Sequence, residues 1–210
     1  KKYISLNPEV EKLMKREIEN YEEIQHPFIP KFYGKIQYND LSYPVIEFIN
    51  GKTLLDTDFS QFSEAEIYEI ILQMLLVINY LHNNHFIYRD LKPDNVIIDE
   101  NKTLVLIDFD RMVKDDYIWN KNENTAEFPS KFAAPEIKYN SNDMTNKCDI
   151  YSIGKMIDFI MEKYDKKKLV QIHDKCLKKK VELRPQSSEL INDYFIFFDK
   201  NNNNIKKIFY

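Results

Sequence analysis

The sequence predicts an α+β protein of two lobes, a small β-rich lobe followed by a larger, mainly helical lobe. Its 210 residues, of which 43% are hydrophobic, suffice for one compact domain with a large core. Strand patterns and one helical segment occupy residues 1–49, whereas helical patterns dominate residues 50–194. This order of elements is typical of an α+β fold in which the strands and the helices are segregated.

The β-rich part is predicted to contain a strand, a helix and two more strands, in that order. Residues 3–6 have the pattern of a strand end. Asn7-Pro8 then opens the helix, because Asn caps free amides and Pro is preset for the first turn. The helix is expected to run from residue 8 to about residue 25, before Pro27. Strands are expected at residues 28–36 and 43–49.

This first predicted helix directs one carboxylate inward. Glu17 lies three residues after Met14 and four residues before Tyr21, on the same face of the helix. The apolar residues of that face are Val10, Met14, Tyr21 and Ile24.

The helical part is predicted to begin with a long apolar helix. Ser63 and Glu66 have the spacing of a capping box, and the helix that they open reaches about His82. A hairpin of two short strands follows, and after it a polar loop at residues 111–131. Strands are expected at 96–98 and 104–107, helices at 145–164, 169–179 and 187–194, and a polar, Asn-rich tail at 195–210.

Composition and charge exclude several classes of function. The 30 Lys and Arg residues against 34 Asp and Glu give a net charge of −4, whereas a generic nucleic-acid-binding protein is basic. The longest apolar stretch, residues 70–78, is too short for a membrane span, and the first residues lack the core of a signal peptide. A cytoplasmic protein without nucleic-acid or membrane partners is expected. Cys148 and Cys176 lack metal-type spacing and are expected to be buried free thiols.

The three glycines exclude two common nucleotide-binding loops. Gly34, Gly51 and Gly154 are too far apart to form a G-x-G-x-x-G loop or a Walker loop. Any nucleotide must therefore be bound by other groups.

The densest group of chemically useful side chains lies between residues 88 and 110. Asp90, Asn95 and Asp108 offer two carboxylates and one amide oxygen, which suit a magnesium ion that shares the phosphates of a substrate. Lys92 adds a positive charge beside them. Each residue alone would indicate only a polar turn. Together they favour a magnesium and phosphate site.

These residues carry a resemblance to a known family. Residues 88–95, Tyr-Arg-Asp-Leu-Lys-Pro-Asp-Asn, resemble the catalytic loop of eukaryotic protein kinases. Residues 108–110 resemble their Asp-Phe-Gly motif, and residues 134–136 match their Ala-Pro-Glu motif. Further matches are Asp149, Gly154, Arg184-Pro185 and residues 47–51. The resemblance covers residues 1–194 and implies a bilobal kinase-like fold, with a partial small lobe at 1–49 and a large lobe at 50–194.

The resemblance implies a serine/threonine protein kinase that uses ATP and Mg²⁺. Asp90 matches the base that accepts the proton of the substrate hydroxyl, and Lys92 matches the lysine that steadies the transferring phosphoryl group. Asn95 and Asp108 match the magnesium ligands. A lysine two residues after the aspartate, with Pro93 next, is similar to the serine/threonine-specific form of the loop. Protein substrates with Ser or Thr hydroxyls are therefore expected.

The resemblance also assigns the nucleotide pocket. Glu17 matches the helix glutamate that pairs with a strand lysine; Lys2 is preferred as that partner, and Lys1 is the alternative. Ile46 matches the residue at the back of the adenine pocket, and the backbones of Glu47 and Ile49 match the groups that bond the adenine edge.

The remaining matches concern anchoring and control. Glu136 and Arg184 resemble the ion pair that anchors the activation segment, and Asp149 is expected to accept from catalytic-loop amides. Because Arg89 precedes Asp90, phosphorylation of the activation segment is expected to control activity. Thr125 and Ser130 are the candidate sites.

Three departures from the family pattern are present. The sequence starts at the third strand, without the glycine-rich loop, which indicates either a fragment of a longer product or a kinase-like protein that binds nucleotide poorly. Asp110 replaces the usual glycine and is expected to restrict alternative arrangements of this segment. Asp149 and Arg184 are 35 residues apart (184 − 149), which is short for the family.

The departures leave an alternative interpretation, a pseudokinase or scaffold with weak or no phosphotransfer. Transfer to a small molecule is disfavoured, because the Ala-Pro-Glu motif and Arg184 frame a segment that accepts peptides.

Overall fold

The structure is a computed structural model of the 210-residue chain, and it describes residues 8–39, 41–116, 130–138, 145–164 and 170–201. The predicted strand at residues 3–6, with Lys1 and Lys2 before it, lies outside the described residues.

In the described residues between 8 and 49, the small lobe contains one helix packed against an antiparallel strand pair. Helix α1 is Pro8–Glu23, and strands β1 and β2 are Phe32–Tyr38 and Leu41–Ile46. The strands pair from Phe32 opposite Ile46 to Tyr38 opposite Leu41, with an irregularity between Phe32 and Gly34. Gly34 has a φ of +128°, a conformation that glycine adopts at such irregularities.

Both strands of the small lobe begin at residues other than those predicted. β1 begins at Phe32 rather than at residue 28, because the Ile29 amide bonds the His26 carbonyl in a turn and Pro30 follows. β2 begins at Leu41 rather than at residue 43. Asn39, with a φ of +48°, lies in the short turn between β1 and β2, so that the second strand starts soon after the first ends. The helix before them ends at Glu23, two residues earlier than predicted.

The large lobe contains five helices and five short strands in the described ranges. Its first helix, α2, opens on the predicted capping box, in which the Ser63 hydroxyl accepts from the Glu66 amide and the Glu66 carboxylate accepts from the Ser63 amide. The helices are α2 Glu64–Asn83, α3 Pro135–Lys138, α4 Lys147–Tyr164, α5 Val170–Cys176 and α6 Ser187–Asn201. The strands are β3 Gly51–Thr53, β4 Phe86–Ile87, β5 Val96–Asp99, β6 Leu104–Leu106 and β7 Val113–Lys114.

The short strands form two small sheets that carry the loops. β3, β5 and β6 form a three-stranded antiparallel sheet, with β5 in the middle. β4 pairs antiparallel with β7, a strand inside the region predicted to be a polar loop. The β5–β6 hairpin is the predicted one, with bounds that differ by one residue at two ends.

The core of the large lobe lies around α2 and α4. Most side chains of α2 from Ile67 to His82 are buried, so α2 is the central helix of this lobe. α4 approaches α5 closely at Gly154, where a Cβ atom would lie 2.7 Å from the Cβ of Cys176. A glycine is therefore required at this helix crossing.

In the large lobe, the C-terminal ends of two helices differ from the prediction. α5 ends at Cys176 rather than at residue 179, since the chain then turns to place Arg184. α6 continues to Asn201 instead of ending at Tyr194, so the first part of the predicted polar tail is helical. No helix within the described ranges combines the length and apolarity needed to cross a membrane.

Both cysteines are buried free thiols, as predicted. Burial raises the pKa of Cys176 to about 12 and raises the pKa of Cys148 well above its usual range.

Candidate active site

The loop that follows α2 and β4 is anchored by Asp149 of α4. The backbone amides of Tyr88 and Arg89 donate to its two carboxylate oxygens, at 2.9 and 2.7 Å. His82 Nε2 lies 2.9 Å from Oδ2, and all of these groups are buried. A buried carboxylate with this many donors is stable in its place. The predicted anchoring of the loop by Asp149 is confirmed, and it fixes where Asp90 lies.

Asp90, Lys92 and Asn95 form one bonded cluster. Lys92 Nζ lies 2.7 Å from Asp90 Oδ2. The Asn95 Nδ2 donates to the same oxygen at 2.9 Å and to the Asp90 carbonyl at 3.0 Å. Asp90 and Asn95 are buried, and Lys92 is half-buried. Both contacts use Oδ2, so neither of them occupies Oδ1.

Asp108 follows β6, and the residue before it is hydrogen-bonded to this cluster. The Ile107 amide donates to the Asn95 carbonyl at 3.0 Å, and the Tyr88 hydroxyl donates to the Ile107 carbonyl at 2.5 Å. Burial, followed by the negative charges of Asp108 and Asp90, raises the pKa of Tyr88 well above its usual range. The negative charges of both aspartates therefore raise the pKa of the same buried phenol.

The backbone at Asp108 is left-handed. Its φ is +68°, a conformation that costs a residue with a side chain about 1–3 kcal/mol. Asp110 is not among the left-handed residues of the described part of the chain. The aspartate in place of glycine is therefore accommodated without strain here, and its predicted restriction of other arrangements stays a prediction.

The oxygen donors fit a magnesium ion that is shared with phosphates. Because the Asn95 amide nitrogen donates to Asp90, its amide oxygen is the atom that can coordinate a cation. With the Asp108 carboxylate it gives two hard ligands, and Mg²⁺ usually takes one or two protein ligands and completes its shell with waters and phosphates. In the part of the chain that the structure describes, no three His, Cys, Asp or Glu side chains are grouped to hold a metal.

Glu17 points inward from α1, as its spacing predicts. It is 4% exposed, on the same face of the helix as Met14 and Tyr21, which are also buried. Its predicted partner, Lys2 or alternatively Lys1, lies outside the described residues, so the pairing stays a prediction.

The predicted adenine-binding residues lie where β2 ends. Ile46 is half-buried against the core, and Ile49 is half-buried as well. The Glu47 amide donates to the Lys31 carbonyl at 2.8 Å, and the Glu47 carboxylate accepts from the Lys31 amide at 3.1 Å. With its amide engaged, Glu47 has its backbone carbonyl as the group that can accept from an adenine edge.

The ion pair between Glu136 and Arg184 is present and buried. Arg184 Nη2 donates to Glu136 Oε2 at 2.9 Å, and Nη1 bonds Oε1. Further Arg184 donors reach the Lys178 and Lys147 carbonyls at 2.8 and 3.0 Å. A buried guanidinium needs this many acceptors, so the predicted anchor of the activation segment is confirmed.

The predicted control residues are described only in part. Thr125 lies outside the described residues, and the Ser130 hydroxyl accepts from the Phe132 amide at 3.2 Å. Arg89 is buried, and its burial lowers its pKa to about 10. Phosphorylation of this segment stays a prediction.

Sequence reasoning missed Asn20. This residue on α1 is 7% exposed, and its side chain bonds the backbone just after Asp108. The available signal was its position three residues after Glu17, which places a polar side chain on the inward face of the helix.

Comparisons with known proteins agree with this geometry. A profile of the family described as protein kinase domain matches residues 1–166. Calcium-dependent protein kinase 5 of Plasmodium falciparum is 32% identical over 146 residues, which cover 67% of this chain and 25% of that protein. Probable serine/threonine-protein kinase PLK of Dictyostelium discoideum is 32% identical over 143 residues, which cover 67% and 14%. Dual specificity protein kinase zak2 of the same organism is 31% identical over 150 residues, which cover 68% and 23%. The chain thus spans about a quarter or less of these relatives' length.

Proposed function

This chain belongs to the protein kinase domain family, and from that premise we propose that it is a serine/threonine protein kinase that transfers the γ-phosphoryl group of ATP to protein hydroxyls. The single observation that carries the proposal is the bonded cluster of Asp90, Lys92 and Asn95 beside Asp108.

Asp90 acts as the base in this proposal. Its Oδ1 orients the substrate hydroxyl and accepts its proton while the hydroxyl oxygen bonds the γ-phosphorus. The bond from that phosphorus to the β,γ-bridging oxygen breaks, and ADP leaves with the electron pair. Lys92, held at 2.7 Å from Oδ2, places a positive charge beside the transferring group.

The nucleotide is held by residues on both sides of this cluster. Asn95 and Asp108 would hold Mg²⁺, and the ion would supply positive charge to the phosphates. By the family resemblance, Glu17 would pair with a lysine, Lys2 in preference to Lys1, that contacts those phosphates. Ile46 covers the back of the adenine ring, and the backbones of Glu47 and Ile49 bond its edge. The burial of Glu17 and the engaged amide of Glu47 support these assignments.

The preference for Ser and Thr hydroxyls rests on Lys92 and Pro93. The lysine two residues after the aspartate contacts that aspartate, and a lysine at this position resembles the serine/threonine-type form of the loop. One relative is named a probable serine/threonine-protein kinase, whereas another is named a dual specificity protein kinase. Peptides that differ only in carrying Ser, Thr or Tyr test this preference.

Transfer of labelled phosphate from ATP to such peptides tests the function. Asp90→Asn removes the base and is expected to lower kcat by about 10²- to 10⁴-fold, and Asp108→Asn is expected to raise the Mg²⁺ requirement strongly. Asp94→Asn is the matched control, since Asp94 is an exposed carboxylate of the same loop, and it should retain activity. Equal activity in the Asp90→Asn and wild-type proteins would overturn the assignment.

The second candidate function is a scaffold that binds nucleotide without transferring phosphate. The short Asp149–Arg184 separation favours it, because it indicates a shortened large lobe. A rise in Tm with ATP and Mg²⁺, combined with no phosphate transfer, would support the scaffold over the kinase.

A further inference from the structure

The side chain of Asn20 ties α1 to the backbone that follows Asp108. Its Nδ2 donates to the Phe109 carbonyl at 2.6 Å and to the Met112 carbonyl at 3.1 Å. A side-chain amide nitrogen carries two protons, so both are used in these bonds. The residues that they join are 89 and 92 positions apart in the sequence.

The acceptors belong to a tight turn. The Met112 amide donates to the Phe109 carbonyl at 3.3 Å, so this carbonyl accepts from both the turn and Asn20. The Phe109 ring is fully buried and meets the edge of the Tyr21 ring at 5.1 Å between centroids. Asn20 therefore supplies polar contacts next to the apolar contacts of Tyr21.

The position of Asn20 on α1 joins two parts of the nucleotide site. Asn20 lies three residues after Glu17, on the same side of the helix. The turn that it holds starts one residue after Asp108. A movement of α1 relative to this turn would therefore break both Asn20 bonds.

We propose that Asn20 is a positioning residue that sets the magnesium ligand Asp108 relative to the helix that carries Glu17. The proposal rests on the proposed function, because it takes Asp108 to be a ligand of nucleotide-bound Mg²⁺. By linkage, binding of the metal and nucleotide at Asp108 also stabilises the inward position of α1.

Asn20→Leu tests this role because leucine is close to asparagine in size but donates no hydrogen bond. It is expected to raise by about tenfold the Mg²⁺ concentration needed for half-maximal ATP binding, since two buried carbonyls lose a donor. Asn20→Gln keeps both amide protons and is expected to recover part of this loss. Binding is followed by calorimetry, which does not require phosphate transfer.

Thr57→Val is the matched control. Thr57 is also 7% exposed, and its hydroxyl donates to the Thr53 carbonyl at 2.8 Å. The variant loses a partly buried bond to the main chain away from the site, so its Tm should fall without a change in Mg²⁺ dependence.

Hydrogen exchange of the segment 107–114 gives a second measurement that is independent of any ligand. Asn20→Leu is expected to speed exchange in this segment about tenfold and to leave the α2 segment unchanged. Unchanged exchange at 107–114, or an Mg²⁺ dependence equal to that of wild type, would overturn the role of Asn20. Wild-type protein that binds ATP with Mg²⁺ but transfers no phosphate would instead overturn the proposed function, while the role of Asn20 in placing Asp108 would stand.

Discussion

The catalytic loop and helix α1 are attached to the molecule in different ways. The loop is fastened from inside the large lobe by the carboxylate of Asp149, which accepts two backbone amides and contacts His82. α1 meets the segment after Asp108 through the neutral amide of Asn20, the ring of Tyr21 and one exposed pair between Glu23 and Lys114. The difference teaches that a buried carboxylate of the large lobe holds the loop that carries Asp90, whereas neutral and exposed groups connect α1 to the segment after Asp108.

The largest loss of stability is expected when the buried ion pair of the large lobe is broken. Arg184→Leu leaves Glu136 as a buried charge without its partner, and a loss of about 3–5 kcal/mol in the free energy of unfolding is expected. Urea unfolding measures it. Lys175→Met, which breaks the exposed pair with Asp193, is the control and should cost less than about 1 kcal/mol. A loss of similar size in both variants would contradict a special role for the buried pair.

The second largest loss of stability is expected when the charge of Asp149, which anchors the loop, is removed. Asp149→Asn keeps the size of the side chain but replaces one accepting oxygen by a donor, which then faces the amide of either Tyr88 or Arg89. A loss of about 2–3 kcal/mol is expected from urea unfolding. Phosphate transfer should fall as well, because Asp90 is no longer held in place. Full activity in a folded Asp149→Asn protein would contradict the inference that Asp149 holds Asp90 in place.

The aromatic contact of α1 should have a smaller effect on stability. Tyr21→Leu loses the ring contacts with Phe109 and Phe32, at 5.1 and 5.8 Å between centroids, and about 1–2 kcal/mol is expected. The free energy of ATP binding should decrease by more than the free energy of unfolding does, because the variant removes contacts that fix the position of α1. Thermal unfolding and calorimetric titration with ATP measure the two quantities. A change confined to Tm would show that α1 is as firmly fixed as the loop.

The smallest effect is expected at the exposed start of α2, away from both regions. The hydrogen bond from Lys102, followed by those from Ser63, lowers the pKa of Glu66 from 4.5 to about 2. A lowered carboxyl pKa means that its stabilising contribution is fully present above about pH 4.5 and is lost as the pH falls toward 2. The difference in stability between the wild-type protein and Glu66→Gln should therefore narrow over this interval. An NMR titration of Glu66 near pH 4.5 would contradict the expectation.

Local signals account for much of the fold. The capping box at Ser63 and Glu66 was readable because both partners lie within one helical turn. The β5–β6 hairpin was readable from two apolar runs joined by a turn. The end of α6 was not readable, because the Asn-rich composition after residue 200 suggested an earlier end than Asn201.

The site was predictable where its residues are close in sequence. Asp90, Lys92 and Asn95 bond one another within six residues, so their types and spacing were informative. Asn20 contacts a turn 89 residues away, and no local pattern encodes that contact. The left-handed backbone at Asp108, with a φ of +68°, was not predicted from the sequence, although aspartate adopts this conformation more often than most residues with a side chain.

The two buried thiols have a practical consequence for experiments. With their pKa values raised by burial, Cys148 and Cys176 are protonated at neutral pH and shielded from alkylating reagents while the protein is folded. Iodoacetamide labelling of either residue therefore requires opening of the large lobe. Its rate gives a reporter of that opening, without an added probe, for every variant named above.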